Sequence, residues 1–178
     1  MEDTLSAKEC LKLHDLAGQV CFDIVEIGSY KGKSTGCIAS ATKMSVYAID
    51  LWDLRHYDFE PSVRVKQRGF YLTQTYKAFL ENMKPFKNVI PVKGDSREIG
   101  KVWSSFIGLL FIDGNHSFDF VKKDYENFGR YVVGGSGVIA FHDIVIKGVE
   151  RVIEEIVKPS GEWTDFELTD TLWTARKL

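Results

Sequence analysis

Seven side chains carry most of the chemistry in this chain, and they share one kind of position. Glu26, Asp50, Asp95, Asp113 and Asp143 stand at or just beyond the ends of apolar, β-branched runs: "FDIVEIG", "SVYAID", "NVIPVKGD", "GLLFIDG" and "SGVIAFHD". His116 follows in "DGNH", and His142 directly precedes Asp143. Runs of this composition read as strands. An open parallel sheet binds its ligand outside the carboxyl ends of its strands. The set would therefore crowd five carboxylates and two imidazoles onto one rim. That rim suits a ligand with positive charge and hydroxyl groups, because an anion beside several carboxylates needs offsetting cations. The imidazoles titrate near neutral pH and suit proton transfer from a reacting hydroxyl. Asp113 and Asp143, with Asn115 or His142, could also hold a divalent ion such as magnesium through oxygen.

The turn "EIGSYKGKST" contains Gly28-x-x-x-Gly32-Lys33-Ser34. This is one residue short of the phosphate-cradling loop G-x-x-x-x-G-K-[ST], and it lacks the G-x-G-x-x-G of dinucleotide binding. Lys33 reads as a solvated lysine. The glycines still allow close backbone approach and a sharp turn. S-adenosylmethionine fits such a rim: it offers an ammonium, a sulfonium, a ribose diol and an adenine amino group.

The elements that would position these residues alternate along the chain. Ser6 and Glu9 form a capping box for a first helix with Leu13, Leu16 and Ala17 on one face, stopping near Gly18. Helical spacing recurs over Ser34 to Ala41, Tyr71 to Met83, Val121 to Val132 and Val149 to Val157, and Leu51 to Arg68 reads as irregular. "WTDFELTD" and "TLWTARKL" form a final hairpin, in which Trp163 and Trp173 read as sheet packing. The pattern predicts an α/β fold: a doubly wound, Rossmann-like, mostly parallel seven-stranded sheet with a C-terminal antiparallel hairpin and helices on both faces. Residues 1–178 read as one domain, with the helix of residues 1–20 packing near the cofactor site. The formal charge of −2 gives no general reason to expect nucleic acid or an anionic membrane as partner. No apolar run reaches membrane-spanning length, and the charged start has no signal-peptide core. Cys10, Cys21 and Cys37 lack CxxC spacing, which points to reduced thiols in a cytoplasmic protein.

E-x-G-x-x-x-G at the first strand, an acid ending the second, Gly94-Asp95-Ser96 at the third and Ile112-Asp113-Gly114 at the fourth resemble class I methyltransferases. "LLFIDGNHSFDFVKKDYENFGRYVVGGSGVIAFHD" is similar to a branch with macrocin O-methyltransferase and cephalosporin-hydroxylase-like proteins. The resemblance runs from Phe22 to the C-terminus. It implies that Glu26 orients the methionine amino group of S-adenosylmethionine. Ile27, Gly28, Ser29, Tyr30, Gly32 and Ser34 would line the methionine and ribose path, and Asp50 would accept from the ribose diol. Leu51 and Trp52 would flank the adenine, Asp95 would receive its amino proton, and Gly94 and Ser96 would lie beside it. Asp113 and His116 would face the methyl group and its acceptor, with His142 a further candidate catalytic residue.

Some relatives carry two acids as metal ligands where this chain has His142-Asp143. Asp113 and Asp143 are thus tentative metal ligands, and the replacement tilts the balance towards the sulfonium as the only cation. The implied activity is O-methylation of a small molecule, such as a sugar hydroxyl. The alternatives are a non-catalytic module binding the cofactor or its demethylated product, and a nucleotide-phosphate-binding protein. Plain structural readings stand beside these roles. Asp50, Asp95, Ser96 and Asp143 could cap turns or helices, His116 could be a solvated loop residue, and His142 could be packed. Arg64, Lys66 and Arg68 could contact an anionic acceptor or lie on a solvated face. Tyr57, Phe59, Phe70 and Tyr71 read as loop packing.

Overall fold

The computed structural model describes residues 5–52 and 65–178, with the backbone alone for 65–73. Tyr57, Phe59 and Arg64, and the side chains of Lys66, Arg68, Phe70 and Tyr71, lie outside the described residues. In chain order the elements are α1 (Ala7–Gln19), β1 (Asp23–Ile27), α2 (Lys33–Ala39), β2 (Val46–Asp50), α3 (Val65–Met83), β3 (Val89–Lys93), α4 (Ser96–Val102) and β4 (Ile107–Ile112). These are followed by α5 (Phe118–Phe128), β5 (Val138–Phe141), α6 (Lys147–Val152), β6 (Trp163–Thr169) and β7 (Leu172–Lys177).

One seven-stranded sheet has the order β3-β2-β1-β4-β5-β7-β6. The first five strands in this order are parallel, and β7 pairs antiparallel with both β5 and β6. This is the expected doubly wound sheet with its terminal hairpin. The order reverses between β1 and β4, which places a topological switch point beside Ile27 and Ile112.

Burial on both faces explains why β4 is apolar throughout, and a register shift against β1 between Ile107 and Leu109 puts Ile107 on the side of Leu110 and Ile112. Ile107, Leu110 and Ile112 face a cluster with Val121, Phe128, Val152 and Ile153, whereas Leu109 and Phe111 face one with Leu13, Leu16, Ile38 and Ala39. Both faces are thus covered, one by α5 and α6 and the other by α1 and α2. Trp52, Phe79 and Met83 form a third cluster under α3. Trp163 and Trp173 pack as expected, with the Trp163 indole N–H donating to the Tyr125 hydroxyl at 3.1 Å.

Some boundaries differ from the sequence reading. Gly18 lies inside α1, which ends at Gln19. Helix α3 starts at Val65, within the stretch read as irregular. Helix α4 is two turns long, too short for its periodicity to register. The expectation of reduced thiols fails for one pair: Cys10 and Cys37 form a disulfide tying α1 to α2, with Cα atoms 5.7 Å apart. Cys21 is free and exposed. The two helices pack against each other on one face of the sheet, a proximity that residue spacing does not reveal.

Candidate active site

The carboxyl ends of β1, β2, β4 and β5 meet in a set of tight turns. Gly28 has φ +93°, and a Cβ there would lie 2.1 Å from the Asp113 carbonyl oxygen. Only glycine lets the turn after β1 cross the turn after β4 at this distance. Tyr30, Trp52 and Asp143 adopt positive φ of 45°, 38° and 55° without being glycine. Residues held in such conformations cluster at functional sites, and here they follow β1, β2 and β5.

Alternation along β1 turns Glu26 to the same face as Ile24, under α2. The side chain is fully buried, and Thr35 Oγ1 donates a hydrogen bond to Oε2. Among the described residues Oε1 has no hydrogen-bond partner, nor does the buried Ser29 Oγ. Burial pushes the Glu26 carboxyl up to about 7. The hydroxyls of Ser34, Thr35 and Ser29 oppose this, and the charge of Asp113 adds to it. A buried acid with an unmet acceptor is costly. At the glycine turn it leaves an acceptor that a cationic hydrogen-bond donor could meet.

Asp50 holds two turns at once. Its Oδ2 accepts from the Tyr30 amide at 2.9 Å and its Oδ1 from the Trp52 amide at 2.7 Å. The Trp52 indole N–H donates to the Tyr30 carbonyl at 2.8 Å, and its ring packs on Tyr76 and Phe79. Trp52 is therefore built into the scaffold, while Leu51 stays half-buried beside it. Lys33 Nζ donates to the Leu5 carbonyl at 2.5 Å, which ties down the N-terminal segment and weighs against a phosphate role.

At β3, Asp95 is the N-cap of α4. Its Oδ1 accepts from the Arg97 amide at 2.9 Å, and both of its oxygens bind the Arg97 guanidinium. Ser96 Oγ donates to Asp124 Oδ1 at 2.6 Å. Gly94 joins β3 to this cap, its amide donating to the Asp50 carbonyl at 3.0 Å. Asp124, on α5, is a residue the sequence reading missed. Burial raises its carboxyl to about 7, Ser96 opposes, Asp95 adds to the rise and Arg97 opposes it.

The densest charge lies at the ends of β4 and β5. His116 Nε2 is 3.3 Å from Asp113 Oδ1 and 3.6 Å from Asp143 Oδ2. His142 Nδ1 is 3.2 Å and 3.5 Å from the same two oxygens. One oxygen or nitrogen from each of Asp113, His116 and Asp143 lies within 4.8 Å of the others, a grouping able to hold a metal ion. Asp143 is not the cap of α6, whose N-cap is Ile146. Asn115 caps its own turn, accepting from the Ser117 amide at 2.9 Å.

Behind His142 stands Glu9, which the sequence reading took only for half of a capping box. That box is present. Glu9 is also 1% exposed, and its Oε2 lies 3.4 Å from His142 Nε2. Its Oε1 accepts from both the amide and the hydroxyl of Thr171, each at 2.8 Å. Burial would raise the Glu9 carboxyl, but these bonds and that from Ser6 outweigh it and bring it down to about 2. Burial would likewise lower the His142 imidazole, yet Asp113, Asp143 and Glu9 together raise it to about 9.

Comparison with known proteins agrees with this fold. Residues 25–144 match a family described as a methyltransferase domain. Solved structures share the fold at low identity. The O-methyltransferase TomG from Streptomyces achromogenes, solved with S-adenosylmethionine, has a TM-score of 0.71 at 16% identity, covering 98% of this chain and 81% of that one. CalS11, a TDP-rhamnose 3'-O-methyltransferase of calicheamicin biosynthesis, has a TM-score of 0.64 at 16% identity, covering 97% and 81%. An rRNA methylase from Streptococcus thermophilus has a TM-score of 0.64 at 12% identity, covering 99% of each chain.

Proposed function

The chain belongs to the methyltransferase domain family, and from that premise we propose that it moves the methyl group of S-adenosylmethionine to an oxygen of a small molecule. The observation that carries this reading is the unmet acceptor of Glu26, buried under the Gly28 turn and close to Asp113. The ammonium of S-adenosylmethionine is a cation that can satisfy it, and Ser29 offers a second unpartnered polar atom for the same ligand. Asp50 accepts the ribose diol, Asp95 and Ser96 bound the adenine end, and Gly28 allows close backbone approach.

The bound cofactor supplies an electrophilic methyl carbon. The chain supplies position and proton handling. His116 is partly exposed between Asp113 and Asp143, where it can take the proton of an acceptor hydroxyl. The formal charge of −2 provides no general attraction for a polyanion, which favours a small acceptor over RNA. A sugar hydroxyl is the first acceptor class to try, in line with the activity of CalS11.

The test is calorimetric titration with S-adenosylmethionine and, separately, with ATP, followed by an acceptor screen that reads formation of the demethylated cofactor. Binding of S-adenosylmethionine with turnover on a hydroxyl acceptor is expected. Binding of ATP in its place overturns the reading, and tight cofactor binding without turnover on any acceptor leaves a cofactor-binding module.

A further inference from the structure

One covalent bond joins the two helices that cover this face of the sheet. Cys10, near the start of α1, is bonded to Cys37 in α2. The neighbours of each cysteine reach the candidate site. Next to Cys10, Glu9 lies 3.4 Å from His142 and accepts from Thr171. Two residues before Cys37, Thr35 donates to the buried Glu26, and α2 itself begins directly after the turn from Gly28 to Gly32. The bond therefore stands between the acceptor under the glycine turn and the support of the β5 end.

The two halves of α1 are held in different ways. Leu13, Leu16 and Ala17 are buried with Ile38 and Ala39 of α2, and this apolar burial does not depend on the bond. The first turn relies more on polar tethers. Lys33 Nζ donates to the Leu5 carbonyl at 2.5 Å, Ser6 Oγ donates to Asp170 Oδ2 at 2.7 Å, and Glu9 Oε1 accepts from Thr171. Breaking the bond leaves the second half docked and puts more of the first turn's hold on these few hydrogen bonds. Segments held in this way are the ones that open locally. Both cysteines are half-buried, so part of each is open to solvent.

We propose that Cys10–Cys37 is a reversible redox site, operated by thiol–disulfide exchange with a small dithiol or disulfide, that sets how tightly the glycine turn holds its ligand. A thiolate of the dithiol attacks one sulfur, the Cys10–Cys37 bond breaks, and the departing thiolate takes a proton from water. The second thiol of the reagent then displaces the cysteine from the mixed disulfide. The pair gains two electrons and two protons, and the reagent ends as a disulfide. A disulfide oxidant such as oxidised glutathione runs the exchange backwards. In the oxidised protein α2 is fixed against α1, and with it Thr35 and the Glu26 carboxyl, so the cofactor meets a pre-organised acceptor. In the reduced protein that ordering has to be supplied on binding. Linkage makes the effect reciprocal: the factor by which oxidation tightens the cofactor is the factor by which the cofactor favours the disulfide. The effect on the cofactor rests on the methyl-transfer reading; the coupling between α1 and α2 does not.

The experiment measures the affinity for S-adenosylhomocysteine by calorimetry on the oxidised protein, on the protein held in dithiothreitol and on the Cys10→Ser/Cys37→Ser double variant, with melting curves to show that each is folded. Binding roughly tenfold weaker than in the oxidised protein is expected in the other two, and dithiothreitol should change nothing in the double variant. Cys21→Ser, at the free and exposed cysteine, should behave as the wild type. Equilibration in glutathione buffers should place the Cys10–Cys37 couple about 30 mV lower in potential with saturating S-adenosylhomocysteine, which is that tenfold ratio converted for two electrons. Amide exchange supplies a readout without cofactor. Reduction should speed exchange of the Thr171 amide, which donates to Glu9, by roughly tenfold. Equal affinity in the two redox forms overturns the proposal, as does a couple whose potential does not move with ligand or a pair that dithiothreitol reduces only as the protein unfolds. Faster Thr171 exchange on reduction, with no cofactor binding in either form, sinks the methyl-transfer reading and leaves the redox coupling. Cofactor binding with equal affinity and unchanged exchange sinks this inference alone.

Discussion

If the ammonium of S-adenosylmethionine meets Glu26, binding must release a proton. In the free protein burial holds the Glu26 carboxyl at about 7, so at pH 6 it is about nine-tenths protonated. A cation beside Oε1 favours the carboxylate. If it restores the ordinary value of 4.5, almost no proton remains at pH 6, and about 0.9 proton leaves per cofactor bound. The affinity should then climb as pH rises from about 4.5 to about 7 and level off above, by about 3 kcal/mol in all at about 1.4 kcal/mol per unit. Calorimetry at pH 6 in buffers of different ionisation enthalpy reads the proton directly. Glu26→Gln keeps the shape and the acceptor oxygen but cannot ionise. It should bind more weakly at pH 8, show no pH dependence in this window and release no proton through this residue. A wild-type release below about 0.3 proton at pH 6, or the same release from the glutamine variant, refutes the placement of the ammonium at Glu26.

Asp124 makes a prediction of opposite sign for stability. Its folded value, about 7, lies above the ordinary value of 3.8, so between these values the unfolded chain gives up a proton that the folded chain keeps, and stability falls as pH rises from about 4 to about 7. Asp124→Asn retains an acceptor for Ser96 and should gain roughly 1–3 kcal/mol over the wild type at pH 8 and little at pH 4. Melting curves at the two pH values check this, and an equal loss at both would contradict it. Asp50→Ala should weaken S-adenosylmethionine binding by roughly 1–3 kcal/mol through loss of charge-assisted hydrogen bonds and of the restraint on Tyr30 and Trp52; unchanged affinity in a folded variant removes Asp50 from the site. Reduction of Cys10–Cys37, which closes a sequence separation of 27, should cost about 3 kcal/mol. Melting with and without reductant shows the shift, and Cys37→Ser should abolish the difference.

What the sequence made legible follows from periodicity and from sheet physics. The apolar runs around β1, β4 and β5 announce strands covered on both faces, and the missing helix between β6 and β7 forces the hairpin. Because a parallel sheet sends all its carboxyl ends one way, the acids at those ends had to share a rim, and Asp113 and Asp143 had to be neighbours once β4 paired with β5. Roles within the rim were harder to read, since each side chain is also used locally. Asp95 is a cap and an arginine partner, Trp52 is a scaffold residue, and His142 is both packed and aimed into the acidic centre. Asp124 sits one helix away from Ser96 and belongs to no local pattern that would mark it. The disulfide depends on α1 lying against α2, which is a tertiary fact.

Glu9 shows how a local motif can conceal a distant role. A capping box needs one carboxylate oxygen, and Oε2 meets it by accepting from the Ser6 amide at 2.7 Å. The other oxygen reaches Thr171, in the turn between β6 and β7, while the group as a whole supports His142 at the end of β5. The next residue, Cys10, bonds to Cys37 on α2, and Leu5 is held by Lys33 at the start of that helix. The N-terminal segment, which precedes the matched residues 25–144, thus ties the glycine turn, the β5 end and the terminal hairpin to one another. A parallel sheet can place acids on a rim, but the rim alone does not orient an imidazole buried beneath it. That orientation comes from a helix at one end of the chain and a hairpin at the other. A substitution at Glu9 should therefore act on the setting of His142 as well as on the fold, because one buried carboxylate serves the Ser6 amide, Thr171 and His142 together.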